Sequence, residues 1–116
     1  MNGVIVAFGG ALGALLRWGT VQVVAEPLGT LCVNVIGSFL IGLGFVAVSS
    51  EDPRWHLFLI TGLLGGFTTF SAFSLDALKL LEAGKLSAAF GYAAGSVLLS
   101  LAAAAFAIWI ARSIWT

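Results

Sequence analysis

The sequence predicts an all-α integral membrane protein, with one domain of four transmembrane helices over residues 1–116 and the third helix broken mid-membrane. The first observation is composition: 60% of the 116 residues are hydrophobic and 9% are charged, whereas soluble domains contain about 25% charged residues. The second is length, because four apolar stretches, at 3–25, 28–49, 57–82 and 86–111, can each cross a hydrocarbon core of about 30 Å. The third is segment 65–71, where paired glycines precede Thr-Thr-Phe-Ser and disfavour an uninterrupted helix.

The first predicted span carries a single charge, Arg17. It follows Gly-Gly-Ala-Leu-Gly at 9–13, a small-residue pattern that permits close contact between helices. Because the opening residues 1–4 contain no basic region, we interpret the first apolar run as a retained span and not as a signal peptide. Glu26-Pro27 ends the span.

Polar residues recur at helical spacing in the second and fourth spans. Thr30, Asn34 and Ser38 lie four residues apart, and so do Tyr92, Ser96 and Ser100. Residues four apart share one face of a helix. Each of these two uncharged spans is therefore predicted to carry a polar stripe.

Composition also excludes several classes of function. The net charge is zero, without a basic or acidic tail, so nothing suggests nucleic acid as a partner and we expect none. One cysteine, Cys32, permits neither an intrachain disulfide nor a multi-cysteine metal site. Away from the span ends the ionisable groups are Arg17 and Asp76, and no catalytic triad, metal-spaced cluster or phosphate loop is present. We therefore do not expect an enzyme.

Loop charges give almost no preference for one orientation. If the spans alternate, Arg54 and Arg112 lie on one side, and Lys79 and Lys85 on the other, with Arg17 as a further candidate there. Insertion in both orientations is one expectation, and a single orientation set by weaker preferences is the other. A four-helix subunit fills its core with its own side chains, so a solute path is expected where at least two subunits meet.

The side chains within the spans favour transport of a small anion. Hydroxyl and amide groups supply hydrogen-bond donors, and Phe70 and Phe73 lie three residues apart after the break. A phenyl ring has a positive edge that weakly stabilises an anion. A path of donors and ring edges without a carboxylate suits a small anion that accepts strong hydrogen bonds.

Each of these features also has a purely structural interpretation. Serine and threonine hydroxyls often bond back to the carbonyl four residues earlier, and Asn34 would serve as a contact between helices. Phe70 and Phe73 would then be packing residues. Asp76 is expected to pair with Lys79, three residues on, or to lie near lipid headgroups.

Three segments of the sequence are similar to a known family. They are GGALGALLRW at 9–18, GTLCVNVIGS at 29–38 and TGLLGGFTTFSAFS at 61–74. Through them the chain resembles the Fluc (CrcB) family of bacterial fluoride channels over essentially its full length. Asp76 stands where some members carry glutamate.

The resemblance implies a fluoride channel in the bacterial inner membrane, assembled as an antiparallel, dual-topology homodimer with two pores, that exports fluoride passively. A heteromeric pair is the alternative assembly. The resemblance also implies a central structural sodium ion held by the backbone carbonyls of Gly65 and Thr68, and a vestibule position for Arg17. The expected residues of the fluoride pore are Thr30, Asn34, Thr69, Phe70, Ser71, Phe73, Tyr92, Ser96 and Ser100.

Two other membrane functions compete with this interpretation. A small multidrug transporter also has four spans and dual topology, but it needs a membrane-embedded glutamate in the first span, where this chain has Arg17. A non-transporting subunit held by glycine-rich helix faces would need its polar residues for assembly alone.

Overall fold

The protein is all-helical in the computed structural model, which describes residues 1–48 and 52–115, the last without its side chain. The predicted end of the second span at residue 49 lies outside the described residues. In chain order the elements are α1 (Asn2–Val23), α2 (Leu28–Ala47), α3 (Pro53–His56), a π-helical segment (Leu57–Leu64), α4 (Gly65–Phe67), α5 (Phe70–Glu82) and α6 (Leu86–Trp115).

Within the described residues, four helical runs are long and apolar enough to cross a membrane: Asn2–Val23, Leu28–Ala47, Pro53–Glu82 and Leu86–Ile114. Large apolar side chains face outward from them, including Phe8, 70% exposed, and Leu15, 63% exposed. Such a surface is far more apolar than that of a soluble monomer. The predicted fold class of four apolar spans is confirmed.

The third span begins four residues earlier than predicted. Asp52 caps it by accepting a hydrogen bond from the backbone N–H of Arg54 at 2.9 Å, and Pro53 occupies the first helical position, where its missing N–H costs nothing. The Arg54 guanidinium also hydrogen-bonds to the Asp52 carboxylate, and this lowers the pKa of Asp52 below its ordinary 3.8. The cap therefore sets where the helix starts.

Helix α1 packs against the π-helical segment and α4 through glycine. A Cβ on Gly9 would lie 2.9 Å from the backbone nitrogen of Leu63, and one on Gly66 would lie 2.5 Å from the carbonyl oxygen of Gly10. Only glycine permits backbones to approach this closely. The close contact that the small-residue pattern of α1 predicts is present, whereas the π-helical turn was not predicted.

Helix α2 packs against α6, and α5 also packs against α6. Val33 and Ala107 are fully buried, and Gly42 lies directly against the backbone of Ala104. Small residues at this contact let α2 and α6 approach closely. The polar stripes of the two helices thereby border the same space as the start of α5.

Candidate functional site

The third span leaves the helical conformation for two residues. Thr68 has φ −81° and ψ 157°, and Thr69 has φ −152° and ψ 123°, so both are extended. The hydroxyl of Thr69 then caps α5 by accepting a hydrogen bond from Ala72 N–H at 3.2 Å. This interruption is shorter than segment 65–71, because Gly65 and Gly66 remain helical in α4.

Asn34 of α2 forms two hydrogen bonds with the extended backbone. Its Nδ2 donates to the carbonyl oxygen of Thr69 at 2.9 Å, and the N–H of Thr69 donates to its Oδ1 at 2.8 Å. The amide therefore gives the N–H of Thr69 the partner that a continuous helix would have supplied, and it adds a donor to the Thr69 carbonyl. Because Nδ2 carries two hydrogens, one donor of Asn34 remains after these bonds are made.

Arg17 reaches the same region from α1. Its Nε donates to the carbonyl oxygen of Gly66 at 3.1 Å, although the two residues are 49 positions apart in the chain. In a continuous helix that carbonyl would accept from Phe70, which now starts a new helix. Arg17 thus supplies a donor to the end of α4, while its predicted vestibule role stays a prediction.

A cavity of about 270 Å³ opens where α2, the break, α5 and α6 meet. It brings together most of the polar and aromatic residues that the sequence singled out, and none of its lining residues is ionisable. Four of the predicted site residues do not line this cavity, namely Thr30, Ser71, Tyr92 and Arg17. The lining residues are Asn34, Ser38, Ile41, Thr68, Thr69, Phe70, Phe73, Ser96, Val97 and Ser100.

Sequence reasoning did not single out the apolar lining residues Ile41 and Val97. Ile41 lies seven residues after Asn34, a spacing that returns to the same helical face. That periodicity would have found Ile41, but Val97 adjoins the predicted stripe of α6 and has no such signal.

Aromatic rings form a connected row from the cavity to α6. The rings of Phe70 and Phe73 have centroids 5.5 Å apart, and those of Phe73 and Tyr92 are 5.3 Å apart. Phe70 is 77% exposed in the single chain. Phe73 therefore packs between two rings, whereas most of the Phe70 ring is free for contact with a solute or another subunit.

Several polar atoms near these rings are buried without a hydrogen bond. Within the described part of the chain they are the hydroxyl oxygens of Tyr92 and Ser96 and Oδ2 of Asp76. Buried polar atoms ordinarily have partners, so each such atom calls for an explanation. The hydroxyls of Tyr92 and Ser96 lie on the predicted stripe of α6, with hydrogen-bonding capacity that the chain itself does not use.

Thr30 and Asp76 differ from what the sequence predicted. The Thr30 hydroxyl donates to the carboxylate of Glu26, a residue outside the predicted site, and so does not point a free donor along α2. Asp76 is 6% exposed. No salt bridge between Asp76 and Lys79 is seen in the described residues, although the two residues line one cavity.

The carbonyls of Gly65 and Thr68 meet a basic requirement for holding sodium. The N–H groups that a continuous helix would aim at them belong to Thr69 and Ala72, and these donate to side-chain oxygens instead. Hard cations choose oxygen ligands such as unpaired carbonyls. The described residues contain no cluster of three or more histidine, cysteine or acidic side chains, so a cation here would depend on backbone oxygens.

Comparison with known proteins places the chain among membrane proteins of one family. A family model described as CrcB-like protein, Camphor Resistance (CrcB), matches residues 4–108. A protein of Paracoccus denitrificans named fluoride-specific ion channel FluC is 47% identical over 95% of this chain and 94% of its own length. Proteins with that name from Cereibacter sphaeroides and Granulibacter bethesdensis are 52% and 42% identical, over 84% and 98% of this chain and 83% and 97% of their own. With the family model covering nearly all of the sequence, this protein belongs to the CrcB family.

Proposed function

We propose that this protein is a fluoride-selective ion channel, and not an enzyme, whose permeation path runs through the cavity at the break. The observation that carries the proposal is the chemistry of that cavity. Donor side chains and aromatic rings meet there without a single ionisable residue. The names of the relatives support the same ion, since they are called fluoride-specific ion channels.

The cavity offers the kinds of contact that a small, strongly hydrated anion needs. The second N–H of Asn34 and the hydroxyls of Ser96 and Ser100 can replace water around fluoride. The edges of Phe70 and Phe73 add weak positive potential and a hard wall. A larger anion such as chloride would fit these closely spaced donors poorly, which is the proposed basis of selectivity.

We propose that Asn34 serves both the fold and the ion. One of its N–H groups and its oxygen bind the backbone of Thr69, which fixes the side chain. A donor held in this way does not lose rotamer freedom when an anion arrives, so binding costs less entropy. The hydroxyl oxygens of Thr69 and Ser71 are 3.1 Å apart, so one hydroxyl donates to the other and one proton of the two remains for an ion.

The assembly we propose is an antiparallel homodimer with two pores. Phe70 is largely exposed in the single chain although it lines the cavity, so a second subunit would close the path on that side. The loop charges are nearly balanced between the two sides, which favours insertion in both orientations. A sodium ion on the carbonyls of Gly65 and Thr68 would hold the two breaks together.

The proposed location is the bacterial inner membrane, and the proposed direction is passive export. Fluoride enters as neutral HF from acidic surroundings, ionises inside and leaves as the anion down its gradient. The absence of ionisable residues from the lining of the proposed path supports movement of the ion that is not coupled to a proton at that site.

Ion efflux from liposomes tests the function directly. Purified protein is reconstituted in vesicles loaded with fluoride or chloride, and the release is followed with ion-selective electrodes. We expect rapid fluoride release without chloride release, strongly slowed by Phe70→Ile and by Asn34→Ala. Phe8→Ile is the matched control, because that ring is also exposed but lies on α1 away from the cavity.

Two outcomes would contradict the proposal. Equal release of fluoride and chloride would refute selectivity, and a folded protein without fluoride release would refute the channel and favour the transporter or the structural subunit. Replacing sodium by a large organic cation tests the ion separately, and unchanged flux and dimer stability would refute its role. Ala83→Cys, at an exposed position in the turn after α5, should be labelled equally from both sides in a Cys32→Ser background if topology is dual.

A further inference from the structure

A second groove opens between the start of α1 and the start of the third span. It has a volume of about 410 Å³ and shares no helix with the cavity at the break. Two charged residues, Asp52 and Arg54, lie along it, and the rest of its lining is apolar. The apolar lining residues are Val4, Ile5, Phe8, Trp55 and Phe58.

The charged part of this groove lies at the end of a membrane span. Asp52 immediately precedes the third span, Pro53–Glu82, and Trp55 is of the residue type that is enriched where a span meets the lipid headgroups. Phe58 follows Arg54 by four residues, which is about one helical turn. The groove therefore has charges at headgroup level and an apolar wall that continues into the span, as an amphipathic lipid does.

The ion pair in the groove has hydrogen-bonding capacity left over. Nη2 and Nε of Arg54 donate to Oδ2 of Asp52 at 2.7 and 3.1 Å, which occupies one edge of the guanidinium. Arginine has five N–H groups, and within the described residues Nη1 and the second hydrogen of Nη2 make no further bond. These side chains are 67% and 42% exposed. The open edge presents two N–H groups in the fork that suits a phosphate.

The charges select one kind of headgroup. Because Asp52 already neutralises Arg54, an anionic headgroup gains little here, whereas a zwitterionic headgroup can contact both charges. A carboxylate accepts hydrogen bonds, so an ammonium that carries N–H groups suits Asp52 better than a quaternary ammonium. The apolar wall does not discriminate between lipids, because bilayer chains are as apolar as the side chains.

We propose that this groove binds a phospholipid with an ethanolamine headgroup. Its phosphate lies on the open edge of Arg54, its ammonium lies on Asp52, and one acyl chain follows the apolar wall between α1 and the third span. Positive and negative groups then alternate around one cluster. A lipid bound only by the folded protein stabilises the fold by mass action. The site is independent of the ion that the other cavity conducts.

Competition between lipids tests the headgroup. Intact protein in detergent receives equal amounts of phosphatidylethanolamine, phosphatidylcholine and phosphatidylglycerol with the same acyl chains, and native mass spectrometry measures the bound lipid. We expect about threefold more ethanolamine lipid than either of the others, a modest ratio because the ion pair is exposed.

Two variants assign this preference to the ion pair. Asp52→Asn keeps a side chain that caps helices well but removes the negative charge, so the preference should move to phosphatidylglycerol. Arg54→Gln should lower the binding of all three lipids. Lys85→Gln, which replaces an exposed cation outside the groove, is the control and should behave as the intact protein does.

A third variant tests the apolar wall without changing a charge. Val4→Trp fills the groove and should abolish the ethanolamine preference. Leu15→Trp is the matched control, since that residue is 63% exposed on the same helix but does not line the groove. Added phosphatidylethanolamine should raise the resistance to unfolding of the intact protein and of Leu15→Trp, but not that of Val4→Trp.

Three results would overturn the proposal. The first is equal binding of the three lipids by the intact protein, and the second is an unchanged preference in Asp52→Asn. If that variant does not fold, unchanged lipid binding by Arg54→Gln decides in the same way. The third is a Val4→Trp protein with a weaker dimer and unchanged bound lipid, which would show that a second subunit occupies the groove. None of these results bears on fluoride efflux, so the channel proposal is tested separately.

Discussion

The two hydrogen bonds between Asn34 and Thr69 make a quantitative prediction for stability. Asn34→Ala removes both of them, at 2.9 and 2.8 Å, and leaves the N–H and the carbonyl of Thr69 without these partners. A hydrogen bond contributes about 0.5–1.5 kcal/mol net, and those between membrane helices average about 0.6 and reach about 1.7 kcal/mol. The free energy of unfolding should therefore fall by about 1–3 kcal/mol.

A second variant at the same position separates the contributions of the two hydrogen bonds. Asn34→Asp keeps an oxygen that accepts from the Thr69 N–H but loses the donor to the Thr69 carbonyl. When its carboxyl is ionised, it also places a charge in an uncharged cavity, which carries an added cost. We expect it to be at least as destabilising as Asn34→Ala at neutral pH, and to recover part of the loss in acid as the carboxyl is protonated.

The assay is reversible unfolding in mixed micelles by increasing the fraction of denaturing detergent, followed by the fluorescence of the four tryptophans. Gln22→Ala is the matched control, because it removes an exposed amide from α1 and should stay within about 0.5 kcal/mol of the intact protein. If Asn34→Ala also stays within that margin, the two bonds do not stabilise the break, and the reasoning is refuted.

Three further predictions concern the surroundings of the site. Gly13→Ala would push a Cβ into the backbone near residues 63–67 and should lower the free energy of unfolding by about 1–3 kcal/mol. Gly19→Ala, on the same helix, meets open space and should raise that free energy by about 0.5–1 kcal/mol. Equal effects of the two substitutions in the same assay would count against the close contact. Arg17→Leu removes a charged donor to the Gly66 carbonyl and should cost about 1.5–3 kcal/mol, partly restored by Arg17→Lys, whereas no loss would show that the bond is dispensable. The pKa of Asp52 is lowered from its ordinary 3.8 in the folded protein, so its cap contributes stability at pH values above 3.8. This contribution should be lost as the pH falls through the pKa of Asp52 in the folded protein. Carboxyl NMR should show Asp52 still ionised at the pH at which an unperturbed aspartate is half protonated.

The spans and their stripes could be predicted because they depend on local properties of the chain. Hydrophobic length specifies how many helices cross a bilayer, and spacing by four specifies which residues share a face. Ser96 and Ser100 accordingly lie together with Asn34 along one cavity. The unusual run after Gly65 similarly pointed to the region where Thr68 and Thr69 leave the helix.

The positions of the partners were decided by tertiary structure alone. Asn34 binds a residue 35 positions away and Arg17 one 49 positions away, and no periodicity connects such distances. The capture of Thr30 by Glu26, and the absence of a salt bridge between Asp76 and Lys79 in the described residues, likewise depend on how the start of α2 meets α5. The sequence by itself determined which faces are polar, because periodicity acts within one helix. Only packing decided which donors remain free for an ion, because that depends on what each helix finds opposite it.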